Sequence, residues 1–142
     1  MVDASVALKW YLDEDGSREA RALRTQFEGG EVKLHAPELL LLEAANAFRF
    51  NRNADEDAVQ KRIEKLGGYG IVFHGVESGV LRSAINLAWS RGITIYDALY
   101  CALAKDLHIP LITADGVLMR KMEGTGIAIP LAGIKVDNGG GR

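Results

Sequence analysis

Tyr96-Asp97-Ala98-Leu99-Tyr100-Cys101-Ala102-Leu103-Ala104 and, five residues later, Pro110-Leu111-Ile112-Thr113-Ala114-Asp115 together decide how the chain folds. In the first stretch apolar residues recur at helical spacing. The second is a short apolar run bounded by Pro110 and Asp115, the mark of a buried strand. A helix leading into a strand with no polar face is what a parallel sheet covered on both sides requires. Working outward, the same alternation predicts strands at residues 1–4, 32–36, 71–76, 110–113 and 127–131. Helices are predicted at residues 6–14, 17–27, 37–51, 55–66, 78–90, 96–107 and 117–123. Gly29-Gly30 and Gly67-Gly68 supply helix stops, Pro37 suits a first helical turn, and Ser17 and Asp55 suit N-caps. The order β-α repeated gives an α/β fold with three α/β/α layers. Residues 1–134 form one expected domain, and residues 135–142, with their Gly139-Gly140-Gly141 run, a flexible tail.

A chain of 142 residues, 48% hydrophobic and 25% charged, has the composition of a globular domain with a real core. Its formal net charge of −2 excludes a generally cationic nucleic-acid binder, so polyanions must be met by local basic patches or bound cations. The single Cys101 forms no intrachain disulfide and no thiolate zinc site, and reads as a small core residue. No run approaches the roughly 20 apolar residues that span a bilayer, and the start lacks a signal-peptide pattern, so a cytoplasmic location is expected.

In an open parallel sheet, chemistry gathers at the carboxyl ends of the strands. Asp3 follows the first expected strand and Asp115 the fourth, so both should face one crevice. Either also suits a helix N-cap. Asp97 lies in a first helical turn behind Thr94, where a capping box and the helix dipole favour an anion. Glu43 is different. It sits in Leu39-Leu40-Leu41-Leu42-Glu43-Ala44-Ala45, expected to be buried, where a lone carboxylate needs a cation, an Arg or a wet cleft. Asn46, three residues on, lies on the same side and could brace a ligand or water. Four converging carboxylates repel one another unless cations neutralise them. Hard oxygen donors of this kind suit Mg²⁺ or Mn²⁺, and such ions can position and hydrolyse a phosphodiester.

Val2-Asp3-Ala4-Ser5-Val6, Glu43 in its leucine-rich helix, and the two stretches ending in Ala104 and Asp115 together resemble the successive motifs of the PIN domain, best its VapC-type toxin branch. The resemblance runs from Met1 to about Leu131. It implies a five-stranded parallel sheet and a Mg²⁺- or Mn²⁺-dependent endoribonuclease whose metal is held by Asp3, Glu43, Asp97 and Asp115, with Asp3 and Asp97 the principal ligands. It also implies that the hydroxyls of Ser5 and Thr113 support the acids, that the chain forms a homodimer, and that a small antitoxin covers the cleft with its C-terminal segment. RNA is the implied substrate, cleaved in a toxin–antitoxin setting or in ribosomal RNA processing or RNA decay.

Other signals carry less. Arg18, Arg21 and Arg24, and the group Arg49, Arg52, Lys61, Arg62 and Lys65, read as solvated helix faces paired with neighbouring acids. His35, His74 and His108 lack metal-ligand spacing and read as structural. Gly67-Gly68 and Gly70 have no Lys-Ser/Thr after them, which excludes a P-loop. Trp10, Tyr11, Tyr96 and Tyr100 are assigned to core packing. A phosphatase using Asp3 as nucleophile would want an Asp two positions on, where Ser5 stands. A non-catalytic module with an acidic pocket leaves Glu43 without a partner.

Overall fold

The structure, a computed structural model, describes residues 1–51 and 53–135. The expectations for Arg52 and for the tail beyond residue 135 lie outside the described residues. Four short strands, β1 (His35–Pro37), β2 (Val72–His74), β3 (Leu111–Thr113) and β4 (Ala128–Pro130), run parallel. β1 pairs with β2, placing His35 beside Val72, and β3 pairs with β4, placing Leu111 beside Ala128. The start of the chain stitches these pairs together. Val2 bridges Ile112 in parallel, the Val2 N–H donates to the His35 carbonyl at 3.0 Å, and the Ile112 N–H donates to the Met1 carbonyl at 2.8 Å. The five extended segments therefore lie in the spatial order β2, β1, Met1–Val2, β3, β4.

The strands are shorter than the sequence suggests, and the outer ones are less covered. The first contracts from residues 1–4 to one bridged residue, because Asp3 already caps the next helix. β3 is buried at every position, whereas Val72 of β2 and Ile129 of β4 are exposed at the two sheet edges.

The helices are α1 (Ala4–Ala7), α2 (Ser17–Glu28), α3 (Leu39–Arg49), α4 (Glu56–Gly67), α5 (Ser78–Arg91), α6 (Ile95–Asp106) and α7 (Gly116–Lys121). α1 tightens at once into a 3₁₀ turn at Leu8–Trp10, so the expected helix over residues 6–14 is not continuous. Ser17 begins α2 rather than capping it. Gly16, at φ 82°, takes the cap position, while the Ser17 hydroxyl accepts from the Glu14 N–H and donates to the Leu12 carbonyl. Pro37 closes β1 and stays outside α3, because the proline ring fixes φ without supplying a donor at a strand end. Asp55 does cap α4, its Oδ1 accepting from the Ala58 N–H at 2.7 Å.

α6 is the inner helix of the molecule, with every residue from Ala98 to Ala104 buried. Ala84 and Ala88 of α5 and Ala98 and Ala102 of α6 are also buried, and the two helices pack together. Gly92 makes the turn between them. At φ 61° it ends α5 in a left-handed cap, a conformation that costs any residue with a Cβ. α6 touches β1 and β3, whereas α3 packs on β1, α1 and α4. α3 buries only the stripe Leu40, Ala44 and Phe48, and Leu42 is 71% exposed, so the helix is not apolar-covered around most of its circumference as expected. Trp10, donating to the Ala20 carbonyl at 2.9 Å, and Tyr100 pack in the core. Tyr11 meets Phe48 edge to face. Tyr96 does not join them; at the first turn of α6 it is 63% exposed. Cys101 is buried as expected. His35 and His74 join β1 to β2 through a ring-nitrogen hydrogen bond of 2.9 Å. Among the described residues no helix is long and apolar enough to cross a membrane.

Candidate metal centre

The strand order reverses at the junction of the Met1–Val2 segment and β3. From the first the chain proceeds toward β1; from the second it proceeds toward β4. Such switch points leave a crevice beyond the strand ends. Asp3 leaves the first segment there, and Asp115 follows β3 by two residues.

Asp3 is 6% exposed and caps α1: its Oδ1 accepts from the Val6 N–H at 3.2 Å and from the Ser5 hydroxyl. Ser5 also lies 3.3 Å from the Thr113 hydroxyl and accepts from the Ala114 N–H at 2.9 Å. Thr113 in turn accepts from the Asp115 N–H at 3.1 Å. These two hydroxyls thus tie the ends of the two central segments together. Asp115 caps α7, its Oδ1 accepting from Val117 N–H at 2.8 Å and Leu118 N–H at 3.0 Å. Asp97 sits in the expected capping arrangement. Thr94 Oγ1 accepts from its N–H at 3.0 Å and donates to its Oδ2 at 2.9 Å.

Glu43 reaches the same region from α3 and is half-buried rather than buried. Its Oε1 accepts from the Tyr100 hydroxyl at 2.8 Å, an interaction sequence reasoning missed by assigning Tyr100 to packing alone. Asn46 departs from expectation. It is exposed and lines a cavity of about 580 Å³ between α3 and α4 with Arg49, Asp55 and Gln60, with no hydrogen bond to the acids.

Electrostatics tie the four acids together. Burial pushes the Asp3 carboxyl upward; the hydrogen-bonding pull of Ser5, Thr113 and the Val6 N–H opposes this, and the charge of Asp115 adds to it. Glu43 is raised by burial, lowered by Tyr100, and raised again by Asp97 and Asp3. Burial and the neighbouring carboxylates raise Tyr100, which stays a hydrogen-bond donor at ordinary pH. The Cys101 thiol is pushed up to about 12 by burial, then by Asp97 and Asp3, so it offers no thiolate. Among the described residues the ion pairs are Lys9–Glu14, Arg21–Asp13, Arg24–Glu28 and Lys61–Asp57, and none includes these acids. Those pairs bear out the solvated reading for Arg21 and Lys61, whereas Arg24 is half-buried.

The donor set fits a hard divalent cation: carboxylate oxygens, no thiolate, and mutual repulsion with no Lys or Arg paired to these acids among the described residues. The hydrogen bonds on each acid fall on one oxygen, Oδ1 of Asp3 and Asp115, Oδ2 of Asp97 and Oε1 of Glu43. Among the described residues no three such side chains are already drawn around one point. That looseness is what uncompensated like charges favour.

Comparison with known proteins agrees with the fold. A family model described as "PIN domain" matches residues 1–123. The chain is 32% identical over 126 residues to "Ribonuclease VapC3" of Pyrobaculum aerophilum, covering 85% of this chain and 92% of that one. The crystal structure of PAE2754 from Pyrobaculum aerophilum superposes with a TM-score of 0.63 at 26% identity, over 92% of this chain and 87% of the other. A toxin-antitoxin complex from Klebsiella pneumoniae shares the fold, with a TM-score of 0.67 at 13% identity, over 92% of this chain and 95% of that one.

Proposed function

Since the chain belongs to the PIN domain family, we propose that it is a metal-dependent endoribonuclease, the toxin of a toxin–antitoxin pair, working on RNA in the cytoplasm. What supports this reading is that Asp3 feels the charge of Asp115, and Glu43 the charges of Asp97 and Asp3, with no ion pair to any of the four among the described residues. Asp3, Glu43, Asp97 and Asp115 would hold Mg²⁺ or Mn²⁺. When bound, such an ion activates water and neutralises charge on the phosphodiester. The protein's share is preorganisation. α1, α6 and α7 each present an acid from the first turn or cap, held by backbone or hydroxyl donors, while Ser5 and Thr113 lock the two central segments in register.

The partners follow from the same reading. The exposed Leu42, and Phe50 just past the end of α3, give the helix that carries Glu43 an apolar surface for an antitoxin segment covering the cleft. Leu81, Ile85 and Trp89 form an exposed stripe at i, i+4 and i+8 on α5, suited to a second copy of the chain in a homodimer.

The test is incubation of single-stranded RNA with the protein and Mg²⁺ or Mn²⁺, beside Asp3→Asn and Asp97→Asn chains. Cleavage by the parent that both substitutions and chelation abolish is expected. Equal cleavage by all three chains would sink the proposal.

A further inference from the structure

Tyr100 is a buried aromatic whose hydroxyl points out of the core onto a single partner, Glu43 Oε1, 2.8 Å away on another helix. We propose that Tyr100 is a positioning residue for the metal centre, holding the Glu43 carboxylate in place for a divalent cation. This inference rests on the metal-dependent reading above and names a residue that sets its geometry.

The two ends of this hydrogen bond differ in freedom. Tyr100 lies inside the fully buried run Ala98–Ala104 of α6, so its ring has no room to rotate away. Glu43 is half-buried on α3, whose neighbouring Leu42 faces solvent. A glutamate side chain gives up roughly 1.5–2 kcal/mol of rotamer freedom when fixed. Among the described residues no Lys, Arg or backbone N–H holds this carboxylate; only the phenol does. The phenol anchors the carboxylate through Oε1, and that carboxylate feels the charges of Asp97 and Asp3.

Tyr100 also stands one turn after Asp97 on α6. One rigid helix therefore carries an acid of the site and the group that orients a second acid from α3. The separation of Glu43 and Asp97 is then set by core packing, not by the wandering of a surface side chain. Groups that orient metal ligands in this way matter: removing one typically weakens metal binding or activity about 10–100-fold.

The experiment is calorimetric titration of Mn²⁺ into the RNA-free parent, Tyr100→Phe, Glu43→Gln and the double variant, with melting curves to confirm folding. Phenylalanine keeps the buried ring and deletes only the donor. Tyr100→Phe should bind Mn²⁺ at least about ten-fold more weakly than the parent, within the range for such ligand-orienting groups. In the Glu43→Gln background the same substitution should cost nothing more, because its effect passes through Glu43. A purely structural tyrosine would shift melting and leave Mn²⁺ affinity unchanged, which would overturn this inference while sparing the metal centre. Equal losses in both backgrounds would also overturn it. A parent that binds no Mn²⁺ would overturn the metal-dependent reading itself, and the role of Tyr100 with it.

Discussion

Replacing Asp3 by asparagine should make the metal-free protein more stable while removing its activity. Asn keeps the shape, and its side-chain oxygen can still cap α1 and accept from Ser5, since Asn and Asp are near-equal N-caps. What the substitution removes is charge on a group that is 6% exposed and faces another carboxylate, Asp115. Two effects compete. Hydrogen bonds to a charged acceptor are worth about 1.5–3 kcal/mol against about 0.5–1.5 for neutral ones, which favours Asp. Burial and repulsion from Asp115 disfavour it, and the upward displacement of the Asp3 carboxyl shows that they win. A net gain for Asp3→Asn follows, and each 1 kcal/mol of it would read as roughly 4 °C in melting temperature for a domain of this size.

Divalent metal should reverse the order. A ligand at 100 times its Kd stabilises the folded state by about 2.7 kcal/mol, roughly 10 °C here. Only the parent retains the full ligand set to collect that gain. Thermal melts in chelator and in excess Mn²⁺ test both halves at once: Asp3→Asn melts higher in chelator, the parent higher in Mn²⁺. The sign with pH is also fixed. An acid whose folded-state value is raised costs stability only where it is ionised in the unfolded chain, so the advantage in chelator should fade as pH falls toward 3.8. An Asp3→Asn chain that melts below the parent in chelator at neutral pH would refute the reasoning, because hydrogen bonding to the charge would then outweigh its burial.

His35 is lowered from 6.5 by burial, then by the charges of His74, the N-terminus and Lys33. The unfolded chain therefore takes up a proton first, so stability should hold above that pH and fall as pH drops through about 6.5; His35→Asn should flatten that part of a melting-versus-pH curve. Thr94→Ala deletes the acceptor for the Asp97 N–H and should cost about 1 kcal/mol by chemical denaturation. It should also slow RNA cleavage by freeing Asp97 Oδ2. Phe48→Ala empties a fully buried site against Tyr11 and should cost about 3–5 kcal/mol by the same method, with no change in the pH profile of the remaining folded enzyme.

The β-α alternation and the positions of the acids were legible because each rests on local signals. Asp55, Thr94, Asp115 and Asp3 cap the helices that follow them through backbone donors two or three residues away. Strand lengths were not legible. Where a strand ends depends on which neighbour pairs with it, and the first shrinks to Val2 because Asp3 turns the chain into α1. The leucine-rich run of α3 misled for a related reason. Consecutive residues of a helix cannot all face inward, and Leu42 falls on the solvent side, away from the buried stripe Leu40, Ala44 and Phe48. Tyr100 was readable as core and unreadable as a hydrogen-bond donor, since its acceptor lies 57 residues away in sequence. Asn46 failed as a brace because its neighbours are set by the packing of α4 onto α3, which helical spacing alone does not reveal.

Helix capping and metal binding need not compete for the aspartates, as their hydrogen bonds show. A carboxylate has two oxygens, and each acid uses one on a protein donor: Asp3 on Val6 and Ser5, Asp115 on Val117 and Leu118, Asp97 on Thr94, and Glu43 on the distant Tyr100. The cap fixes where the carboxylate sits, and the second oxygen projects from an anchored base. Anchoring also explains how the fold tolerates four mutually repelling acids at one sheet edge. Backbone donors and the positive ends of helices offset part of the repulsion in the metal-free chain. A bound cation would have only the remainder to neutralise.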